Sequence, residues 1–264
     1  MSNTVLLTIQ DHIATVTLNR PEKRNAVDWT VLDGLTQAGE TLKARADIRA
    51  VILTGAGPTF CSGIDTSLFM ANPDPKALID QILTVPEGQS ANKFQKPCTV
   101  WQELEIPVIA AVQGVCYGAG LQIALGADIR IGAPDARLSV MEIAWGLIPD
   151  MGLTTVLPRL MRADQAKELI LTGRIVDAAE AAQQGLLTRV AENPAAEALD
   201  LARRIAGHNP DAIRRNKRLV NDTWHASRPD ALRLEAELQA QVIGQPNQLE
   251  AVFARIQKRK PRFS

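Results

Sequence analysis

Twice in this sequence a short strand-like run, apolar at almost every position, runs straight into closely spaced glycines. Ala50-Val-Ile-Leu-Thr54 leads into Gly55-Ala-Gly-Pro58, and Val108-Ile-Ala-Ala-Val112 leads toward Gly114, Gly118 and Gly120. A strand apolar on both faces has no side left for water, so helices must cover it above and below, which favours parallel pairing in an α/β core. The surrounding sequence fits that constraint. Val5–Ile9 and Ile13–Leu18 read as a hairpin turning at Asp11-His12, and Asn19-Arg-Pro21 breaks the second strand. Asp28 is placed to cap a helix whose Val31, Leu32, Leu35, Ala38 and Leu42 share one face. A helix over Ala119–Gly126 is expected next, then strands near Ile129–Ile131 and Leu138–Val140.

Beyond Asn193 the pattern changes to helical spacing, as in Leu199, Ala202 and Ile205 and again in Leu234, Leu238 and Val242. The last seventy or so residues therefore read as a helical appendix on an α/β body. The polar stretch from Met70 to Gln102 holds four of the fifteen prolines and is expected to be the mobile or variable region.

Composition narrows the class. With 264 residues the chain can bury a core without disulfides or a structural metal. Its three cysteines, Cys61, Cys98 and Cys116, are odd in number and form no CxxC pair, which argues against a secreted scaffold and a zinc site. Twenty-nine basic residues balance twenty-nine acidic ones, so no global field draws the chain to nucleic acid or an anionic membrane. No apolar run reaches the length of a membrane span, and Met1–Gln10 has neither the basic nor the apolar part of an export signal. A cytoplasmic globular protein is expected.

Common catalytic signatures are missing. There is no GxxxxGK[ST] phosphate loop, Phe60 stands where Gly55-Ala-Gly57 would need its third dinucleotide-binding glycine, and Ser62 is not in a GxSxG elbow. His12, His208 and His225 fall in a turn and in the helical appendix, away from any nucleophile candidate.

Three stretches carry more. In Phe60-Cys-Ser-Gly-Ile-Asp65 and in Gly114-Val-Cys-Tyr-Gly-Ala-Gly120, small residues let the backbone approach a ligand where a helix begins. Unpaired amides at such places, brought side by side, would stabilise one developing oxyanion; the same glycines would serve equally well as tight turns between packed elements. The third stretch, Leu138–Asp150, has only two charged residues, Glu142 and Asp150, set among Met, Ile, Trp and Leu. Apolar surroundings raise a carboxyl pKa toward the range a proton shuttle needs. A helix cap for Asp150 and a paired Glu142 fit the same residues.

Taken in order, these motifs resemble those of the crotonase, or enoyl-CoA hydratase/isomerase, superfamily. Leu18-Asn-Arg-Pro-Glu-Lys-Arg-Asn-Ala-Val27 is similar to its N-terminal signature, Gly55–Asp65 and Ala111–Gly120 to its two oxyanion turns, and Glu142–Gly152 to its catalytic loop. The likeness extends over essentially the whole chain, including the basic ending Lys258-Arg-Lys-Pro-Arg-Phe263. It implies a spiral α/β core of repeated ββα turns over residues 1–195 and a helical trimerisation region over 196–264, assembled as trimers or dimers of trimers. It implies an acyl-CoA thioester as substrate, with no metal or other cofactor. The oxyanion donors would be the backbone N–H groups of Ile64 and Ala119. Coenzyme A would lie near Arg24, Asn25 and Ala26 and along Ser62, Ile64, Asp65 and Thr66, with the basic tail reaching its phosphates.

The resemblance also sets a puzzle. Hydratases of this family use two glutamates, one matching Glu142 and the other expected where this chain has Gln122, which carries no proton at neutral pH. Asp150 stands where hydratases usually have glycine and resembles an acid of dienoyl-CoA isomerases. Double-bond isomerisation by Glu142, with Asp150 as second acid or pKa partner, is therefore the expected reaction. Hydration of 2-enoyl-CoA, or acyl-CoA binding without turnover, are the alternatives. The pocket wall is expected to include Phe69, Met70, the 72–102 segment, Trp101, Trp145 and Met151, residues that plain packing explains as well, with Tyr117 and Trp145 the candidate acyl-chain contacts.

Overall fold

The structure, a computed structural model, describes residues 3–68 and 75–264. Strands β1 (Val5–Gln10) and β2 (Ile13–Leu18) form the expected hairpin. Its turn residues Asp11 and His12 both have positive φ, the mirror-image geometry whose twist matches that of paired strands. On β2 the chain builds a parallel run of β3 (Ala50–Gly55), β4 (Val108–Val112), β6 (Ile129–Gly132) and β9 (Arg189–Val190). A smaller sheet holds β5 (Val115–Tyr117), β7 (Arg137–Ser139) and β8 (Val176–Asp177).

The two sheets are interleaved along the chain. β4 hands over to β5 and β6 to β7, and isolated parallel bridges Val27–Ile64 and Cys61–Cys116 extend the second layer toward the N-terminus. The chain thus coils through one sheet, the other and a helix, turn after turn, which is the expected crotonase-like spiral. The strand expected at Leu138–Val140 lies one residue earlier. The two-residue strands β8 and β9 were not anticipated, because two residues are too few to show a period.

Period-2 alternation sorts the central strands between two apolar layers. Val51, Leu53, Val108, Ala110 and Val112 face a core shared with Leu32 and Leu35 of the helix Trp29–Lys43. Asp28 caps that helix, accepting from the Val31 amide at 3.0 Å. Ala50, Ile52, Ile109 and Ala111 face the other way, onto Ala198 and Ala202 of the helix Pro194–Ala206. The boundary expected at 195/196 falls inside this helix, which covers the main sheet. The segment expected to be mobile carries helices Pro75–Leu83 and Lys96–Thr99. It includes Trp101, which is fully buried in the core with its indole N–H donating to Pro97 O at 2.8 Å.

The helices Pro210–Thr223, Arg228–Ala240 and Pro246–Ile256 complete the C-terminal region. The first is anchored by Lys217, whose buried ammonium lies 2.8 Å from Asp128 Oδ2 and donates to the carbonyls of Trp101 and Ile106. The same Asp128 oxygen accepts from the Val108 amide at 2.7 Å, so one carboxylate ties the arm to the start of β4. Among the described residues no helix is long and apolar enough to cross a membrane. Asp128→Ala would strand the Lys217 charge in the protein, and urea unfolding should show a loss of about 3 kcal/mol.

Candidate active site

The first turn follows β3. Val27 donates to Gly63 O at 2.8 Å and accepts from the Asp65 amide at 2.9 Å, the two bonds of their parallel bridge. In a planar trans peptide the N–H points opposite to the C=O. Anchoring Gly63 O on Val27 therefore turns the Ile64 N–H away from that strand, toward the cleft. The second turn follows β5. Gly118, with φ 51° and ψ −121°, caps the helix Ala119–Leu125, and its carbonyl accepts the first helical bond from Gln122 N at 3.0 Å. By the same planarity the Ala119 N–H points out of the helix start.

What brings the turns together is the absence of a side chain at Gly120. A Cβ there would stand 2.6 Å from both Cys61 Cβ and Cys61 O. The Ile64 and Ala119 amides consequently share one cleft of about 350 Å³, whose wall also includes Ser62, Thr66, Tyr117, Glu142 and Trp145.

Glu142 opens a 3-10 turn, Glu142–Trp145, after β7. Its carboxylate lies beside the second turn, where a Cβ on Gly118 would be 3.5 Å from Glu142 Oε1. Gln122 Nε2 donates to that Oε1 at 2.6 Å, while Gln122 Oε1 accepts from the Met151 amide at 2.9 Å. The Met151 N–H can only face an oxygen, so the amide orientation of Gln122 follows from the network. Glu142 Oε2 is buried and has no hydrogen-bond partner among the described residues. Burial raises the Glu142 pKa, and the charge of Asp150 raises it further, while hydrogen bonds offset part of the rise. Asp150 is itself raised by partial desolvation, although it is exposed at the surface of the chain. It does not line the cleft that holds Glu142 and is joined to it through Met151 and Gln122.

The residues expected along coenzyme A divide. Ala26, Ser62, Ile64, Asp65 and Thr66 line the cleft, joined by Lys23. Arg24 and Asn25 do not line it. Asn25 is buried at positive φ, accepting from Arg20 N and donating to Ala56 O and Thr59 O, so its side chain is fully occupied as scaffold. Asp65 accepts from Arg20 and Ser67, which hold its carboxyl below the ordinary range, with Ser67 the larger influence. The basic tail folds back on the last helix: Arg259 pairs with Glu250, and none of Lys258–Arg262 lines the cleft.

Of the expected wall and acyl-chain residues, Tyr117 and Trp145 line the cleft, while Trp101 and Met151 are core residues. Phe69 and Met70 lie outside the described residues. All three cysteines are buried with thiol pKa values pushed up, Cys61 to about 12, which removes them as nucleophiles. A larger groove of about 790 Å³ runs between the helix Pro210–Thr223 and the sheet, and is lined by none of the catalytic, oxyanion or coenzyme A residues expected from the sequence.

A spiral α/β body whose two glycine turns open into one cleft beside a partly buried carboxyl defines the class of protein. The comparisons give that class its family. The enoyl-CoA hydratase/isomerase pattern matches residues 8–264, and the chain belongs to this family. It is 34% identical to YngF of Bacillus subtilis (strain 168), a protein carrying an enoyl-CoA hydratase/isomerase name, over 98% of each chain. It is 31% identical to the enoyl-CoA hydratase EchA19 of Mycobacterium tuberculosis (strain ATCC 25618 / H37Rv), over 96% of this chain and 93% of that one. The crystal structure of an enoyl-CoA hydratase from Bacillus anthracis superposes with a TM-score of 0.89 at 30% identity, over 98% of both chains.

Gly120 lies inside a helix, where alanine is ordinarily better by about 1 kcal/mol. Here Gly120→Ala should instead lower the thermal midpoint and cut turnover, because the new methyl group must push the two turns apart. Differential scanning calorimetry beside an activity assay checks this.

Proposed function

We propose that this enzyme moves a carbon–carbon double bond in an enoyl-CoA thioester, with Glu142 as the only proton carrier. The thioester oxygen sits between the Ile64 and Ala119 amides, which hold the negative charge as it develops. For a 3-enoyl substrate, Glu142 Oε2 removes a proton from C2 and the electron pair spreads over the dienolate. The carboxyl then returns the proton at C4, leaving the double bond between C2 and C3. A 3,5-dienoyl substrate extends the same shift by two carbons. No metal or redox group enters this scheme. Coenzyme A follows Lys23, Ala26 and the stretch Ser62–Thr66, its anionic phosphates nearest Lys23. Exposed Trp224, Phe253 and Ile256 on the C-terminal helices support assembly with further copies as a trimer or dimer of trimers.

The observation that carries this reading is the Gln122 bridge. Hydration by two carboxyls needs a second acid at position 122 to hold water and exchange protons. Gln122 is uncharged, buried and committed at both ends of its amide, so it can orient Glu142 but cannot relay a proton. The one oxygen left for chemistry is Glu142 Oε2. Asp150 acts through its charge, raising the basicity of Glu142. The hydratase names of the relatives favour a second reading, hydration of a 2-enoyl-CoA.

Assays with 3-enoyl-, 3,5-dienoyl- and 2-enoyl-CoA separate the two. Formation of conjugated thioester from either of the first two supports isomerisation; its absence beside brisk hydration of the third overturns it. In Gln122→Glu two carboxyls would meet at hydrogen-bond distance and share a proton, so isomerisation at neutral pH should fall; a large gain in hydration would instead identify position 122 as the missing acid. Glu142→Gln should abolish turnover while acyl-CoA affinity, measured by calorimetry, stays nearly unchanged.

The pH profile has a definite sign. Glu142 must be ionised to accept the C2 proton, and its raised pKa moves the acid limb of kcat/KM above the usual carboxylate range. Asp150→Asn removes a charge that opposes ionisation, so the limb should shift to lower pH.

A further inference from the structure

We propose that Arg20, outside the cleft, is a positioning residue that sets the direction of the Ile64 oxyanion donor. The inference rests on the reading of Ile64 N–H as a donor to the thioester oxygen. The direction of that N–H is decided one atom pair away, by the Val27 N–H that holds Gly63 O at 2.8 Å. Val27 is the middle residue of a segment that Arg20 grips on both flanks. Arg20 Nη1 donates to Ala26 O at 2.6 Å and lies 3.3 Å from Asp28 Oδ2. Nη2 donates to Asp65 Oδ2 at 3.1 Å, on the far side of Ile64. One guanidinium therefore clasps the residues before and after Val27 to the residue after Ile64.

The clasp is itself held. Arg20 N donates to Asn25 Oδ1 at 2.9 Å, and Asn25 spans to Ala56 O and Thr59 O on the loop that follows β3. Asp65 is fixed from its other oxygen by Ser67 N and Ser67 Oγ, at 3.1 and 2.7 Å. Asp28 Oδ1 is engaged in capping the following helix. The three side chains are largely withdrawn from solvent, at 13% exposure for Arg20, 22% for Asp28 and 16% for Asp65. A planar fork can reach three acceptors in divergent directions; a lysine ammonium on a flexible stem cannot hold the same three. The arginine is thus selected by the geometry of the donor loop, and it touches neither substrate nor the reacting atoms.

The test reads carbonyl polarisation directly, independently of which reaction follows. Infrared difference spectra of butyryl-CoA labelled with carbon-13 at the thioester carbonyl are recorded on the wild type, Arg20→Lys and Asp65→Asn, with thermal midpoints measured for each. The wild-type carbonyl should absorb at lower frequency than in water. In both variants it should move back toward the value in water, with kcat falling between about 10-fold and 10²-fold, short of losing the donor outright. In Arg20→Lys, KM for acyl-CoA should change far less. Folded variants with a wild-type carbonyl frequency would overturn the role of Arg20 while leaving the donor reading intact. A wild-type carbonyl that is not shifted would overturn the donor reading, and this inference with it. Should Arg20→Lys fail to fold, Asp65→Asn, which keeps the side-chain size and loses only the charged half of the clasp, decides the matter by the same frequency.

Discussion

The contact between Gly120 and Cys61 is the constraint on which the site depends. Two turns that follow different strands, and lie more than fifty residues apart in sequence, can share a cleft only where one of them has no side chain at the crossing. The spiral supplies the approach: β3 and β4 are neighbours in the main sheet, and Cys61 bridges Cys116 in the layer beneath. From that approach follow the single cleft that Ile64 and Ala119 both line and the placing of Glu142 against Gly118. Each amide is aimed by anchoring the carbonyl of its own peptide unit, on Val27 in one case and on the first helical turn in the other. Planarity of the peptide does the rest.

Electrostatics then divide the labour among the polar residues. Those whose hydrogen bonds are all taken, Asn25, Asp65, Asp28 and Gln122, hold backbone and side chains in place. Among the described residues the one buried acidic oxygen left unsatisfied is on Glu142, and an unpartnered polar atom in a desolvated position is costly enough to mark a place where chemistry compensates. Gln122 is informative because it is neutral. A charged partner of either sign at 2.6 Å would move the Glu142 pKa strongly, whereas an amide orients it and offsets only part of the rise that burial and Asp150 produce.

Much of the fold was legible because its signals are local. The hairpin turn, the Asp28 cap with its buried helical face, and the strands β3 and β4 each follow from residue type and period. The short strands β8 and β9 were hidden, since their pairing is set by partners and not by their own composition. The stretch before Trp101 looked like a loop because its polarity and prolines are what a loop would show, yet its last part, the helix Lys96–Thr99, is buried and holds the Trp101 indole. At the site, residue type picked out Glu142 and both turns and the family resemblance picked out Gln122, but neither gave the difference between Asn25 as a ligand contact and Asn25 as scaffold. Motif membership marks a residue as constrained without saying which way its side chain points.

The sequence by itself determined the α/β class and the lack of a titratable side chain at position 122, and it marked the places where backbone amides could stand free at helix starts. These depend on glycine lacking a side chain, on helix ends lacking partners and on an amide lacking a titratable proton, all properties of single residues. Only the tertiary structure decided that the two turns meet, that Gln122 faces Glu142 on one side and Met151 on the other, and that Arg20 braces the donor loop from outside. Those are relations between segments far apart in the chain, and distance in space is not written in residue type.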